Sequence, residues 1–318
     1  MLAKGAEVVL LGTLVSAVIT TYGRKFEEIR PSVDSVVRQT YGNIELIIVD
    51  DNGLGTQNQK QVELGLNLYL ENGENGKVKI SYFPNSENSG AQVSRNNGIA
   101  NSSGEYVAFL DDDDLWFETK IEQQIKCFND HEGENVGLVF CKGYLRKTDE
   151  SGNEKDKPYN MSSAFVDTLT FADMSYGDYI GSTSQVLIKK SVFDVCGLFD
   201  LNQPARQDYE MWIRISEAYL LKGVPEYLFV HVQHSGEQIT KSPKKAAAGI
   251  YNIYKKYHAK CSFNAKWHLL WLSFSAHKKA GSYLNAISCF VRMAFYLCLA
   301  VTVDRKNFVY CIKTHNSR

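Results

Sequence analysis

The sequence has no closely spaced cysteine pair. Its seven cysteines (Cys127, Cys141, Cys196, Cys261, Cys289, Cys298 and Cys311) are scattered without CxxC spacing. That odd, unpatterned set argues against a structural zinc site and makes a reducing cytoplasm the expected setting. Also missing is a glycine-rich, basic loop behind the first apolar run, where "TTYGRKFEE" carries one glycine. A nucleotidyltransferase would be expected to place its phosphate loop there, so that class loses ground. Finally, no run of membrane-spanning length is free of charge. "LNAISCFVRMAFYLCLAVTV" (284–303) holds Arg292 near its middle, which costs about 2.5–3.5 kcal/mol on insertion scales. An amphipathic or packed helix is expected instead. "VVLLGTLVSAVI" (8–19) follows Lys4, but Glu7 adjoins it and no small-residue cleavage site follows. It reads as a buried first strand, not a signal peptide.

What is present is an uneven charge. Residues 241–318 hold 14 Lys/Arg against one acid, Asp304, a balance of +13. The rest of the chain holds 21 Lys/Arg and 35 Asp/Glu, a balance of −14. The basic segment also carries thirteen aromatics from Tyr251 onward, Trp267 and Trp271 among them. A basic, aromatic-rich, helix-prone segment suits an anionic surface, most simply a membrane leaflet. Nucleic acid would compete for such a surface, but no nucleic-acid motif accompanies the charge. Residues 1–240 are therefore read as one α/β domain and 241–318 as a helical extension.

Within 1–240, apolar runs alternate with helical stretches. "VSAVIT" (15–20) precedes a predicted helix over Phe26 to Gln39. "ELIIVDD" (45–51), "KVKISYF" (77–83) and "EYVAFL" (105–110) read as strands, with "GAQVSRNNGIA" (90–100) as a helix before the last. Near-continuous apolar strands alternating with helices predict a mostly parallel sheet covered on both faces. Three of these strands end in polar residues: Thr21/Tyr22, Asp50/Asp51 and Asp111–Asp114. Open α/β sheets bind ligands beyond the carboxyl ends of their strands, so these residues should share one crevice. Further on, "VGLVFC" (136–141), "QVLIKK" (185–190) and "YLFVHV" (227–232) read as strands, 147–160 as a charged loop, and "QDYEMWIRISEAYLL" (207–221) as a helix.

The stretch "EYVAFLDDDDLW" (105–116) stacks four like charges behind a strand. Two carboxylates about 4 Å apart repel by roughly 4 kcal/mol at an effective dielectric near 20. Asp114 reads as the cap of a helix predicted from Leu115 to Phe128. One capping residue does not need three acidic neighbours, so the cluster reads as a divalent cation site, with Mg2+ or Mn2+ offsetting the repulsion. On an extended chain Asp111 and Asp113 would face the same side. Asp50 and Asp51 are either turn formers or ligands, and Arg95 is either a surface ion pair or a ligand. Asp208, at a helix start, is a cap or a general base. Of His231 and His234, the second is preferred, because "HSGEQIT" resembles a loop able to fold over a site.

Taken in order, "VSAVITTYGR", "IELIIVDDNG", "NSGAQVSRNNGIANSSGEYVAFLDDDDLW" and "QDYEMWIRIS" resemble the family 2 glycosyltransferases over about residues 14–240. The resemblance implies the GT-A fold and inverting transfer from a nucleoside-diphosphate sugar, most simply a UDP-sugar, to an acceptor hydroxyl. It implies that Thr21 and Tyr22 line the base, that Asp50 or Asp51 bonds its edge, and that Arg95 faces the nucleotide. Asp111 and Asp113 would form the DxD pair, Asp111 toward the ribose or the cation and Asp113 on the metal, with Asp112 toward the nucleotide and His234 toward the diphosphate or metal. Asp208 would be the catalytic base and Trp212 would shape the acceptor pocket. Two departures stand out: Gln207 replaces the acid that usually precedes the base, and Thr20 replaces a proline. The basic extension adds an expected acceptor, a lipid-linked glycan at the cytoplasmic leaflet. The competing classes are a metal-dependent phosphohydrolase or nucleotidyltransferase and a non-catalytic sugar-binding relative.

Overall fold

A computed structural model describes residues 12–148, 154–159, 165–233 and 242–303, the side chains of 297–303 aside. In chain order the elements are β1 (Val15–Thr21), α1 (Phe26–Val37), β2 (Ile44–Asp50), α2 (Gln57–Glu71), β3 (Lys79–Pro84) and α3 (Ala91–Asn101). Then come β4 (Tyr106–Asp111), β5 (Leu115–Trp116), α4 (Lys120–Asp130), β6 (Val136–Thr148), β7 (Glu154–Pro158), β8 (Thr168–Leu169) and α5 (Phe171–Tyr176). The remainder is β9 (Val186–Lys189), α6 (Ser191–Cys196), α7 (Gln207–Ser216), β10 (Leu220–Gln233), α8 (Pro243–Tyr257), α9 (Phe263–Lys279) and α10 (Tyr283–Val303). The fold is α/β, with a central sheet and helices around it.

The chain folds as two compact units. The first comprises 1–167, 182–198 and 221–233; the second comprises 168–181, 199–220 and 234–318. In the first, the sheet runs β3-β2-β1-β4-β9-β6-β10-β5, with β7 added on β6. Strands β3, β2, β1 and β4 pair in parallel, while β9, β6 and β5 pair antiparallel. The parallel half follows from the apolar runs: every residue of β2 is buried, as a strand covered on both faces requires. Its one acid, Glu45, accepts from the Ser16 hydroxyl and the Ser103 N–H, both at 2.6 Å, so the buried carboxylate is satisfied. Helix α3 lies close on this sheet because Gly98 has no Cβ; one placed there would sit 2.3 Å from Val18 Cγ1. Gly98→Ala is therefore expected to cost about 1–3 kcal/mol, read as a lowered midpoint in urea unfolding; an unshifted midpoint would refute the close contact.

Two expectations are corrected here. Residues 147–160 are not simply a loop: β7 pairs with β6 from Tyr144–Pro158 to Thr148–Glu154. Arg146 bonds Asp156 through two nitrogens, both at 2.9 Å, and Glu154 at 3.0 Å. Opposite charges facing across strands hold this hairpin, so no apolar alternation announced it. Nor does a helix begin at Leu115. Leu115 and Trp116 pair with Val230 and Phe229, and the helix α4 starts at Lys120 behind Thr119.

In the second unit, α7 packs with the C-terminal helices. Its Glu210, 1% exposed, accepts from Tyr257 Oη at 2.8 Å, Arg214 at 3.0 Å and Lys256 Nζ at 3.2 Å. Trp212, implied above to shape an acceptor pocket, is instead fully buried, with Phe199 edge-on to its ring at 6.4 Å. It is a core residue. Among the described residues, no helix is long and apolar enough to cross a membrane.

Candidate active site

Strand register brings the polar ends together. Pairing of β1 with β2 sets Thr21 opposite Asp50, and pairing of β1 with β4 sets Thr20 opposite Asp111. Residues up to ninety positions apart thus share one edge of the sheet. Thr21 is buried, whereas Tyr22 is 56% exposed and presents its ring to solvent. Asp50 and Asp51 are both buried and both occupied. Asp50 accepts from Tyr82 Oη at 2.7 Å and from the backbone and side-chain amides of Asn52 at 2.8 and 2.7 Å. Asn52 in turn accepts from the Gly23 N–H at 2.7 Å, which ties the β1 and β2 loops. Asp51 accepts from Asn85 Nδ2 at 2.7 Å and from the N–H groups of Ser89 and Gly90 at 2.9 and 2.8 Å. Gly90, with φ of 90°, is the N-cap of α3 and takes a conformation costly for other residues. Asp51 therefore fixes the loop that launches the helix carrying Arg95.

The four aspartates do not continue as a strand. The chain turns, with the Asp114 N–H bonded to the Asp111 carbonyl at 3.0 Å, so alternation along an extended backbone does not apply. Asp111 accepts from Arg95 at 2.8 Å and from the Thr183 hydroxyl at 3.3 Å. Asp112 and Asp113 share Arg24, whose Nε lies 3.1 Å from the first and whose terminal nitrogen lies 2.8 Å from the second. Asp114 is fully buried and, contrary to expectation, caps no helix. It binds His231 Nδ1 at 2.9 Å, Ser184 Oγ at 2.6 Å and the Val232 N–H at 3.2 Å.

Two guanidiniums and an imidazole thus face four carboxylates. These side chains offset part of the repulsion, although, beside burial, Asp113 and Asp111 still push the Asp112 carboxyl up. Arg24 was not foreseen. Its only signal was a basic residue two places after Tyr22, in a loop whose strand end was already under suspicion. His231 joins this cluster, bonded to Asp114, and His234 lies outside the described residues. Burial pushes the Asp112 carboxyl up to about 7, with Arg24 and Thr21 pulling against it. Burial likewise raises Asp114, opposed by His231 and Ser184. For His231, burial disfavours the charged ring, but the Asp114 carboxylate outweighs it and the pKa rises.

In the second unit, Asp208 is the second residue of α7, half-buried, with a carboxylate oxygen accepting the Tyr209 N–H at 2.8 Å. Arg206 is the N-cap, in the left-handed region with φ of 60°, so Asp208 is not the cap. The helix start favours its negative charge. Near it stands an acid that sequence reasoning missed, Asp178. Its carboxylate accepts from the Gly181 N–H at 3.0 Å and lies 4.0 Å from Arg206. Burial and the Asp208 charge push Asp178 up to about 7.

Because that folded-state value is raised, the stabilising proton on Asp178 is fully held below the unfolded carboxylate range and lost as pH rises through about 7. Asp178→Asn is expected to raise the melting temperature at pH 8 and leave it nearly unchanged at pH 5. Equal shifts at both values would show that Asp178 does not change protonation between pH 5 and pH 8.

Would this cluster suit a divalent cation? Asp111, Asp112 and Asp113 supply carboxylate oxygens only, the donor set that hard cations such as Mg2+ and Mn2+ prefer. Among the described residues no group of three or more ligating side chains stands ready around one point. The donors fit; further ligands would have to come from a phosphate-bearing substrate.

A model of one family, described as glycosyl transferase family 2, matches residues 16–195. The chain belongs to that family. The matched segment of this glycosyltransferase contains Thr21, Tyr22, Asp50, Asp51, Arg95 and Asp111–Asp114 and ends before Asp208. A relative in Escherichia coli K12, glycosyl transferase WcaA, named for colanic acid biosynthesis, is 28% identical over 272 residues, 84% of this chain and 89% of WcaA. Among solved structures, S. aureus TarS 1-349 in complex with UDP-GlcNAc aligns with a TM-score of 0.62 at 15% identity, covering 89% of this chain and 80% of that one. The mannosyltransferase PcManGT of Pyrobaculum calidifontis, in complex with GDP-Man and Mn2+, aligns at 0.59 and 17% identity, covering 96% and 80%. At those identities the likeness establishes the shared GT-A fold of this glycosyltransferase.

Proposed function

We propose that this glycosyltransferase moves a sugar from a nucleoside-diphosphate donor to an acceptor hydroxyl with inversion, in the synthesis of a surface polysaccharide. The observation that carries the reading is the convergence of the β1, β2 and β4 ends on one acidic, arginine-lined edge. Tyr22, the exposed ring there, stacks on the base. Thr21, Asp50 and Asp51 form the walls of that end of the crevice. Arg95, held by Asp111, and Arg24, held by Asp112 and Asp113, are the cations nearest the diphosphate. A divalent cation, Mn2+ or Mg2+, held by Asp113 with Asp111 and Asp112 beside it, would supply neutralising charge for the departing diphosphate. His234 is assigned to the same end of the site. Asp208 takes the proton from the acceptor hydroxyl as its oxygen attacks the anomeric carbon from the face opposite the leaving group.

The donor reading is supported by the UDP-GlcNAc and GDP-Man complexes of the two structural neighbours, which leave open the base and the sugar. The polysaccharide reading is supported by the name of the E. coli relative. A cytoplasmic location, on the inner face of the plasma membrane, is supported by the lack of paired cysteine spacing in the sequence and by the basic segment 241–318, to which we assign peripheral membrane contact and a lipid-linked glycan acceptor. A panel of nucleotide sugars tested with and without Mn2+ checks the donor assignment. Cleavage or transfer of a nucleotide sugar, with simple phosphate esters untouched, is expected; the reverse selectivity would make the protein a phosphohydrolase, and inertness to both would make it a binding protein. Asp113→Ala is expected to weaken Mn2+-dependent donor binding about tenfold or more while keeping the fold, seen as loss of the donor-induced thermal shift.

A further inference from the structure

Helix α10 carries two apolar faces where internal packing needs only one. Ala286, Cys289 and Met293 are buried and recur at the spacing of one helix face. On another face Leu284, Ile287, Phe290, Val291 and Phe295 are 84%, 58%, 57%, 59% and 61% exposed. At 100° per residue, this second stripe spans more than a third of the helix circumference. Asn285, Ser288 and Arg292 fill the arc that remains, and all three are exposed. The helix therefore has a packed side, a polar side and an uncovered apolar side.

Beside that uncovered side lies a groove between α9 and α10. Phe274, Ala286, Ile287 and Phe290 line it, and Lys278 and Tyr283 stand along it; its volume is about 310 Å³. Lys278, on the groove, and Lys279, the last residue of α9, are both exposed. An apolar floor with an ammonium group along it is complementary to an anionic amphiphile, since a lysine stem can lie on apolar surface while its charge stays in water. The charge of the surrounding segment, +13 over residues 241–318, selects among occupants. It attracts an anionic leaflet at about 1 kcal/mol per basic residue near the surface, and it opposes the face-to-face pairing of two copies.

We infer that the exposed face of α10, with the α9–α10 groove, is the surface by which this protein docks on an anionic lipid leaflet. The inference rests on the membrane reading above and makes it specific: Leu284, Ile287, Phe290, Val291 and Phe295 enter the interface, and Lys278 and Lys279 meet lipid phosphates. The helix lies in the plane of the interface and does not cross it.

The test uses the full chain and extruded vesicles of phosphatidylcholine, with or without an equal part of phosphatidylglycerol. Flotation with the anionic vesicles and not with the neutral ones is expected. Ile287→Glu with Phe290→Glu should reduce bound protein about tenfold or more, Lys278→Ala with Lys279→Ala should reduce it and remove much of its salt dependence, and Ile287→Leu should retain it. Matching circular dichroism melts certify that each variant is folded. Wild-type protein that stays with neither vesicle, or a glutamate variant that floats like wild type, overturns the inference. So does a wild-type dimer in light scattering that the glutamate variant converts to monomer, because a second copy would then cover the face. Donor cleavage in vesicle-free buffer is measured in parallel and should be equal in all variants; its absence from wild type would count against the transferase reading and leave the docking result standing.

Discussion

Asp208→Asn is expected to bind donor like wild type and to transfer sugar about 10²–10⁴-fold more slowly, the span that general-base assistance supplies. The substitution preserves shape. An asparagine oxygen can still accept the Tyr209 N–H that the carboxylate accepts at 2.8 Å, so α7 keeps its first turn. What it removes is basicity. An amide cannot take the acceptor proton, and the attacking hydroxyl must lose that proton to water. The assignment therefore separates two measurements: a donor dissociation constant that does not move and a turnover that collapses. Asp178 gives a second readout, since the Asp208 charge is one of the causes holding it near 7. In the asparagine variant that cause disappears, and Asp178 should titrate lower. A variant that turns over at near wild-type rate would retire Asp208 as the base.

The sequence made some of this site legible and hid the rest for identifiable reasons. Strands β1, β2 and β4 declared themselves because burial on both faces demands unbroken apolar runs, and their polar ends were then visible as interruptions. The aspartate stretch was conspicuous for its charge. Its partners were not, because Arg24, Ser184 and His231 reach it from distant parts of the chain and none carries a local signature. Spacing arguments failed where the backbone turned: Asp113 would have faced with Asp111 only if β4 had continued. Asp114 looked like a cap because a short acid ahead of an amphipathic helix usually is one. The intervening β5, two residues long, was too short to announce itself. Trp212 was placed in the acceptor pocket from resemblance alone, although its helical spacing with Ile215, also fully buried, is that of a core-facing stripe.

Removing Asp114 should damage the fold more than removing any neighbouring aspartate. It is the one member of the cluster with no exposure, and three groups from two separate parts of the chain converge on it: His231 and the Val232 N–H from β10 and Ser184 from the segment before β9. Ser184 Oγ also accepts the Asp111 N–H at 3.1 Å, so the same hydroxyl links the buried carboxylate to the start of the acidic turn. Asp114→Ala would leave a half-buried imidazole, a buried hydroxyl and a backbone amide without their shared acceptor, and breaking a hydrogen-bonded pair around a buried charge costs up to about 3–5 kcal/mol. That should lower the melting temperature by on the order of ten degrees in a protein of this size. Asp113→Ala, at a position a quarter exposed beside Arg24, should melt closer to wild type than Asp114→Ala while losing metal-dependent donor binding. The gap between wild type and Asp114→Ala should also depend on pH. Both Asp114 and His231 have raised folded-state values, so the stability they contribute is greatest at low pH and is lost as pH rises through those values. Chemical denaturation of both proteins at pH 6 and pH 8.5 measures this directly. An Asp114→Ala protein as stable as wild type, or a gap that widens toward pH 8.5, would show that the buried carboxylate is not the hub that holds the acidic turn to β10.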